Sequence, residues 1–138
     1  MWWTYALLSA VFAALTAVLA KIGIRGVDST LATAVRTVVV LVLAWGVAYF
    51  RGGLAGLAGL TRANWLFLGL SGLATGLSWL FYFRALQLGP VSRVAPVDKL
   101  SVALAVLLAV VFLGEKLTWP AALGTGLIVI GTLVLLKS

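Results

Sequence analysis

Three ionisable side chains fall within long apolar runs of the sequence: Arg36, Arg84 and Asp98. If the runs are membrane helices, each of the three lies about 6 to 10 Å from the nearest predicted helix end. An isolated charge at that depth costs about 2.5 to 3.5 kcal/mol on insertion scales, so a partner is expected. Asp98 is the only acid available there, and we expect it to pair with Arg36 or Arg84 as a gate, leaving one arginine for solvent or an anionic ligand. The alternative is that Arg84 extends to the lipid headgroups, as we expect for Arg93 and Lys99.

A second set of polar side chains recurs at spacings of four, three and four residues along one predicted helix. At about 100° per residue, these spacings place the side chains on one narrow stripe, with a tryptophan beside it. We interpret the stripe as the lining of a substrate pathway. The residues assigned to this pathway are Ser71, Thr75, Ser78, Trp79, Tyr82 and Arg36. The alternative is that each hydroxyl bonds to a carbonyl of its own helix.

The composition excludes most catalytic chemistry and indicates a membrane protein. The chain has no cysteine and no histidine, so thiolate and imidazole sites are ruled out, and we expect no catalytic residue, no metal and no cofactor. Apolar residues make up 64% of the chain and charged residues 9%, against about 25% charged in soluble domains. The ten basic residues stand mainly at the ends of the apolar runs, where they anchor helices in a bilayer. We therefore expect the lipid bilayer, and not nucleic acid, as the partner of these charges.

Apolar length and turn residues predict an all-α, polytopic fold with five membrane helices. Asp28 or Ser29 can cap the second helix, and Thr61 or Asn64 can cap the third. The glycine-rich segment 51–60 is too broken to span a membrane and is expected to be a loop or an interfacial segment. The predicted spans are residues 2–20, 29–50, 63–88, 92–114 and 118–136.

Pro96 has two interpretations. It can occupy the first turn of a helix that starts near Ser92, where a missing amide leaves no hydrogen bond unmade. It can instead mark a discontinuous helix of the kind that forms binding sites in transporters.

Five spans place the two termini on opposite sides of the membrane, so the basic residues can be counted by side. The N-terminal side has Arg51, Arg62 and Lys116, and the other side has Lys21, Arg25, Arg84, Arg93, Lys99 and Lys137, with Arg36 deeper. The excess favours a multi-pass protein of the cell (inner) membrane with a cytoplasmic C-terminus. Without Arg36, Arg84 and Lys99, which fall within helices, the count is three against four, so dual topology is also open.

One long segment carries a family resemblance. From Phe81 to Leu136 the sequence reads FYFRALQLGPVSRVAP, an apolar helix, GEKL, and a glycine-spaced final helix. This order is similar to the second half of an EamA domain of the drug/metabolite transporter superfamily, and LAKIGIRGVDSTLATAVRT resembles the matching earlier region. The resemblance covers nearly the whole chain. It implies a transporter that moves a small organic metabolite or drug-like solute by alternating access and is not an enzyme; the alternative is a non-transporting assembly or structural subunit.

Most members of that superfamily resemble two such units in tandem, arranged as an inverted repeat, whereas this chain has one unit. The resemblance therefore implies one half of a transporter, completed by an antiparallel homodimer or by a homologous subunit. Gly124 and Gly131 resemble the heptad-spaced glycines through which small multidrug resistance transporters dimerise; packing within one subunit is the alternative. In the third helix, Gly69, Gly72 and Gly76 form a second small-residue face.

The first predicted helix departs from the small multidrug resistance pattern because it contains no acidic residue. Proton-coupled export of organic cations by that route is therefore disfavoured. The basic residues Arg36 and Arg84 suggest a neutral, zwitterionic or anionic metabolite instead.

Overall fold

The structure is a computed structural model that describes residues 1–137, and all of its regular secondary structure within that range is helical. The helices are α1 (Trp2–Gly23), α2 (Ser29–Phe50), α3 (Arg62–Leu88), α4 (Val91–Asp98), α5 (Leu100–Leu113) and α6 (Trp119–Lys137). Taking α4 and α5 together as Val91–Leu113, five segments are long and apolar enough to cross a membrane. The prediction of an all-helical protein with five membrane helices is confirmed.

The chain divides into two units. One is Leu19–Gln87, which we call the arginine unit after Arg36. The other combines Met1–Val18 with the chain from Leu88 onward, and we call it the C-terminal unit.

The arginine unit is built from the end of α1, from α2 and from most of α3. The carboxylate of Asp28 caps α2 by accepting the backbone amides of Thr30 at 2.9 Å and Leu31 at 3.0 Å. Thr61 and Asn64 cap α3 reciprocally: the Thr61 amide donates to Asn64 Oδ1, and the Asn64 amide donates to Thr61 Oγ1. The capping predictions therefore hold for Asp28, Thr61 and Asn64.

Between α2 and α3, the glycine-rich segment forms a 3-10 helix, Gly53–Gly59. Gly52 precedes it at φ 69°, a left-handed conformation that glycine adopts without steric cost. A Cβ at Gly53 would lie 3.3 Å from the Ala48 carbonyl oxygen, so the chain folds back closely on the end of α2. The segment is not a membrane span, as the sequence predicts.

The C-terminal unit contains a broken helix packed against α6. Pro96 lies inside α4, beyond its first turn, so the first-turn interpretation is wrong and the helix is discontinuous. The proline nitrogen cannot donate to a carbonyl four residues earlier, which weakens the helix at this point. Hydrogen bonds with a three-residue spacing then bridge the break at Lys99, from the Lys99 amide to Pro96 and from the Val102 amide to Lys99.

After α5, Gly114 adopts the left-handed φ of 67° and the Glu115 amide donates to the Ala109 carbonyl at 3.2 Å, so the helix ends at this glycine. Both α4 and α5 pack against α6.

Few side chains are buried in either unit, and the large apolar residues face outward. The buried residues of the arginine unit are Ile24, Ser29, Thr33, Phe83 and Leu86. In the C-terminal unit they are Ala17 and Thr132. Outward leucine, valine and phenylalanine suit a lipid solvent, in which apolar side chains need not be hidden.

Candidate functional site

The arginine unit places a cation against aromatic rings inside the span. Arg36, on α2, is half-buried, and its guanidinium carbon lies 4.2 Å from the centroid of the Trp79 ring. The same carbon is 5.2 Å from the Phe83 ring centroid. Trp79 and Phe83 are four residues apart on α3, so their side chains lie one above the other on one face of that helix. We call Arg36, Trp79 and Phe83 the arginine–aromatic cluster.

The cluster carries a charge that its own contacts do not fully compensate. A cation–π contact contributes about 0.5 to 2 kcal/mol. Placing an arginine within a membrane helix costs about 2.5 to 3.5 kcal/mol on insertion scales. The rings therefore offset part of the insertion cost. Further contacts with the guanidinium are needed to offset the rest.

The polar neighbours of Arg36 along α2 are already engaged with the backbone. The Thr33 hydroxyl donates to the Ser29 carbonyl at 2.8 Å, and the Thr37 hydroxyl donates to the Thr33 carbonyl at 2.7 Å. Such bonds satisfy each hydroxyl within its own helix. These hydrogen bonds of Thr33 and Thr37 stay within α2, whereas the Arg36 guanidinium lies over a ring of α3.

The predicted pathway stripe on α3 divides into two parts. Trp79 and Tyr82 are half-buried, and Tyr82 lies within electrostatic range of Arg36 and contacts the Phe83 ring edge-on. The three remaining members, Ser71, Thr75 and Ser78, are exposed. The Thr75 hydroxyl donates to the Ser71 carbonyl at 2.9 Å, which is the alternative interpretation of the stripe, a bond to a carbonyl of the same helix. The structure thus brings Arg36, Trp79 and Tyr82 together, and the pathway role of the stripe stays a prediction.

Arg84 takes part in a network that the sequence did not suggest. Its guanidinium donates to Gln87 Oε1 at 3.1 Å, and Gln87 Nε2 donates to the Val27 carbonyl at 2.6 Å. Nearby, Lys21 Nζ donates to the Leu86 carbonyl, one of those left unpaired at the end of α3. The network ties the connection between α1 and α2 to the C-terminal turn of α3. The sequence feature that could have indicated this network is a lysine at a helix end beside a short connection, because basic side chains favour helix C-termini.

In the C-terminal unit, the Asp98 carboxylate lies 3.3 Å from the ammonium of Lys99. The side chains of Lys99 and Asp98 are 54% and 35% exposed, and such partly exposed pairs contribute about 0 to 1 kcal/mol. The sequence had assigned Lys99 to the headgroups, and its exposure suits that position. Pairing of Asp98 with Arg36 or Arg84 stays a prediction.

The glycines of the small-residue faces have open surroundings. A Cβ added at any of them meets no atom within 4 Å outside its own helical turn; they are Gly69, Gly72, Gly76, Gly124 and Gly131. None is therefore needed for a close helix approach within its own unit. Their role in association between copies stays a prediction.

Comparison with known proteins gives two matches. The model of the EamA-like transporter family matches residues 1–137. A protein of Sinorhizobium sp., named an uncharacterized transporter in the cobO 3' region, is 50% identical over 134 residues, which cover 97% of this chain and 95% of that protein. No solved structure matches the chain.

Proposed function

Because the chain belongs to the EamA-like transporter family, we propose that it is a membrane transporter subunit that moves a small organic solute by alternating access. The observation that carries the proposal is the arginine–aromatic cluster. A residue that served only as an anchor would lie at a helix end, whereas Arg36 lies about 10 Å along α2. Family membership also points to transport and away from enzymatic activity.

The proposed pathway combines Arg36 with the α3 stripe. Trp79 and Tyr82 are half-buried next to Arg36, and Ser71, Thr75 and Ser78 continue along the same helix face. Hydroxyls and an aromatic ring on one face offer weak, exchangeable contacts to a solute. Weak contacts suit transport, since the solute must also leave.

We further propose that two oppositely oriented copies, or this chain and a homologous subunit, complete the transporter. One five-helix unit supplies half of an inverted repeat, and the second half must come from another chain. When Arg36, Arg84 and Lys99 are left out because they fall within helices, the basic residues number three and four on the two sides, which supports insertion in both orientations. Gly124 and Gly131, which are open within their unit, offer a surface for close helix packing.

The transport proposal is tested by solute flux in proteoliposomes, with a broad panel of radiolabelled metabolites. Trp79→Ala is expected to lower flux by about 2- to 30-fold, the range that corresponds to the loss of one cation–π contact of about 0.5 to 2 kcal/mol. Ser78→Leu should also lower flux by narrowing the stripe. Trp65→Ala is the matched control, since Trp65 lies on the same helix and is 58% exposed.

The second candidate is a non-transporting assembly subunit, favoured by the bond from Thr75 to its own helix. Leak-level flux of every solute, equal in wild type and Trp79→Ala, would support it and contradict the transport proposal. Orientation is a separate measurement: tags on the C-terminus should be labelled on both faces of the membrane. If every copy has its C-terminus on the same face, an antiparallel homodimer is excluded, and a parallel dimer, a monomer or a partner of opposite orientation remains.

A further inference from the structure

We infer that Arg36 is the recognition group for an organic oxyanion, a solute bearing a carboxylate, sulfonate or phosphate group. This inference rests on the proposed transport function and names the substrate class for the same site. It follows from how the guanidinium is held and from the charges of the unit around it.

The aromatic contacts position the guanidinium without supplying an acceptor. Trp79 and Phe83 lie 4.2 and 5.2 Å from the guanidinium carbon, and neither side chain contains an oxygen. A guanidinium has five N–H donors in a planar fork that matches two oxygens of an oxyanion. The two ring contacts therefore hold the charge in place; the Tyr82 phenol also lies within electrostatic range, but one phenol oxygen leaves most of the five donors for another group.

The arginine unit has few acidic groups of its own that could accept hydrogen bonds from the Arg36 guanidinium. Its sequence contains six basic residues and one acid, Asp28. Asp28 lies eight residues before Arg36, about 12 Å along the helix axis, and Oδ1 of its carboxylate accepts two backbone amides. The nearby Thr33 and Thr37 hydroxyls donate to backbone carbonyls.

Two other basic side chains of the unit have oxygen acceptors of their own. Lys21 donates to the Leu86 carbonyl, and Arg84 donates to Gln87. Arg36 differs in being half-buried, within a span, and in contact with aromatic faces. Those conditions strengthen an ionic hydrogen bond, because the surroundings exclude much of the water that would screen it.

The test is binding by the purified chain in a neutral maltoside detergent at pH 7, followed by thermal shift and tryptophan fluorescence. The probes are benzenesulfonate and benzenesulfonamide, which have nearly the same shape while only the first carries a charge. We expect benzenesulfonate to stabilise the wild type and benzenesulfonamide to have much less effect. Equal shifts with the two probes, or no shift with either, overturn the inference without any variant.

Variants then show whether benzenesulfonate binding depends on Arg36. Arg36→Gln should weaken benzenesulfonate binding about 10- to 100-fold, the range expected for hydrogen bonds to a charged group. Arg36→Lys should retain part of the affinity, since it keeps the charge and loses the planar fork. Arg51→Gln is the control, because it removes the same charge at the other end of α2. Equal loss in the Arg36→Gln and Arg51→Gln proteins overturns the inference.

An anionic lipid headgroup offers the same chemistry as a soluble oxyanion. Repeating the titration in nanodiscs of phosphatidylcholine with and without phosphatidylglycerol separates the two sources. Benzenesulfonate binding in pure phosphatidylcholine supports a soluble ligand, whereas an Arg36-dependent shift that occurs only with phosphatidylglycerol overturns it. Failure of this inference is distinct from failure of transport: flux without sulfonate binding removes only the anion assignment, and sulfonate binding without flux removes only the transport proposal.

Discussion

In the arginine unit the Arg36 cation lies over the Trp79 ring within a span. In the C-terminal unit the buried polar side chain is the neutral hydroxyl of Thr132. Thr132 Oγ1 lies 2.8 Å from the Ile128 carbonyl and 3.2 Å from the Pro96 carbonyl, beside the break in the fourth span. The hydroxyl thus has oxygen acceptors in its own unit, while the guanidinium has aromatic rings. Thr132 is therefore a polar group that maintains the fold, whereas Arg36 is the group that we propose to be available to a ligand.

The same contrast is found in the charges of the two units. The arginine unit has six basic residues and one acid, and the C-terminal unit has four basic residues and two acids. The carboxylate of Asp98, in the C-terminal unit, is next to a lysine. Most of these basic residues lie near helix ends, and the cost of a charge within a span falls mainly on Arg36.

The largest expected effect concerns the core of the arginine unit. Leu86 is fully buried, so Leu86→Ala should lower the free energy of unfolding by about 2 to 4 kcal/mol through the cavity that it leaves. Leu107→Ala is the comparison in the C-terminal unit, where the side chain is 58% exposed and the expected change is below about 1 kcal/mol. Unfolding in mixed micelles with increasing dodecyl sulfate measures both. Equal losses would contradict the placement of Leu86 in the core of the arginine unit.

Removal of the Thr132 hydroxyl and removal of the Arg36 charge should affect the free energy of unfolding differently. Thr132→Val should destabilise the chain by about 1 kcal/mol, because it removes a buried hydrogen-bond donor. Arg36→Met should leave stability unchanged or raise it by about 1 kcal/mol, because the insertion cost of the charge exceeds its aromatic contacts. The same unfolding assay applies, with Arg51→Met as the control for lost charge. A loss of more than about 2 kcal/mol in Arg36→Met would make Arg36 a structural residue and weaken the comparison.

A smaller effect is expected from the open glycines of α6. Gly124→Ala combined with Gly131→Ala should raise the dimer dissociation constant about 3- to 10-fold, since the added methyl groups separate the two backbones. The fold of each copy should be retained, because an added Cβ meets no atom within 4 Å. Gly126→Ala, on the opposite face of the helix, is the control. Single-molecule photobleaching in liposomes counts the copies, and unchanged association would assign this face to lipid.

The smallest effect is expected at Asp98. Its contact with Lys99 predicts a change of less than about 0.5 kcal/mol for Asp98→Asn, as for an exposed ion pair. The ion pair predicted from the sequence has a different consequence: a double-mutant cycle of Asp98→Asn with Arg36→Gln or Arg84→Gln would give a coupling of more than about 1 kcal/mol. Additive changes in both cycles would leave Lys99 as the partner.

Local signals in the sequence predicted much of this protein. The length of the apolar runs gave five spans, and the caps at Asp28, Thr61 and Asn64 were correctly located because a cap depends on residues within one turn. The first helix was predicted to end at residue 20 and continues to Gly23, since apolar length alone does not mark where a helix stops. The inclusion of both Arg36 and Trp79 in one predicted pathway agrees with their contact.

Contacts between helices could not be predicted in the same way. The contact of Arg36 with Trp79 joins residues 43 positions apart, and the Lys21 contact with the Leu86 carbonyl joins residues 65 apart. Helical periodicity states which residues share a face of one helix and leaves open which helix that face meets. The sequence by itself therefore determined the membrane environment, the number of spans and the helix caps, because these depend on hydrophobicity and on hydrogen bonds within a turn. Only the tertiary structure decided that the half-buried Arg36 cation lies on aromatic rings, and that the break at Pro96 lies beside Thr132, because both depend on how helices are rotated and packed against one another.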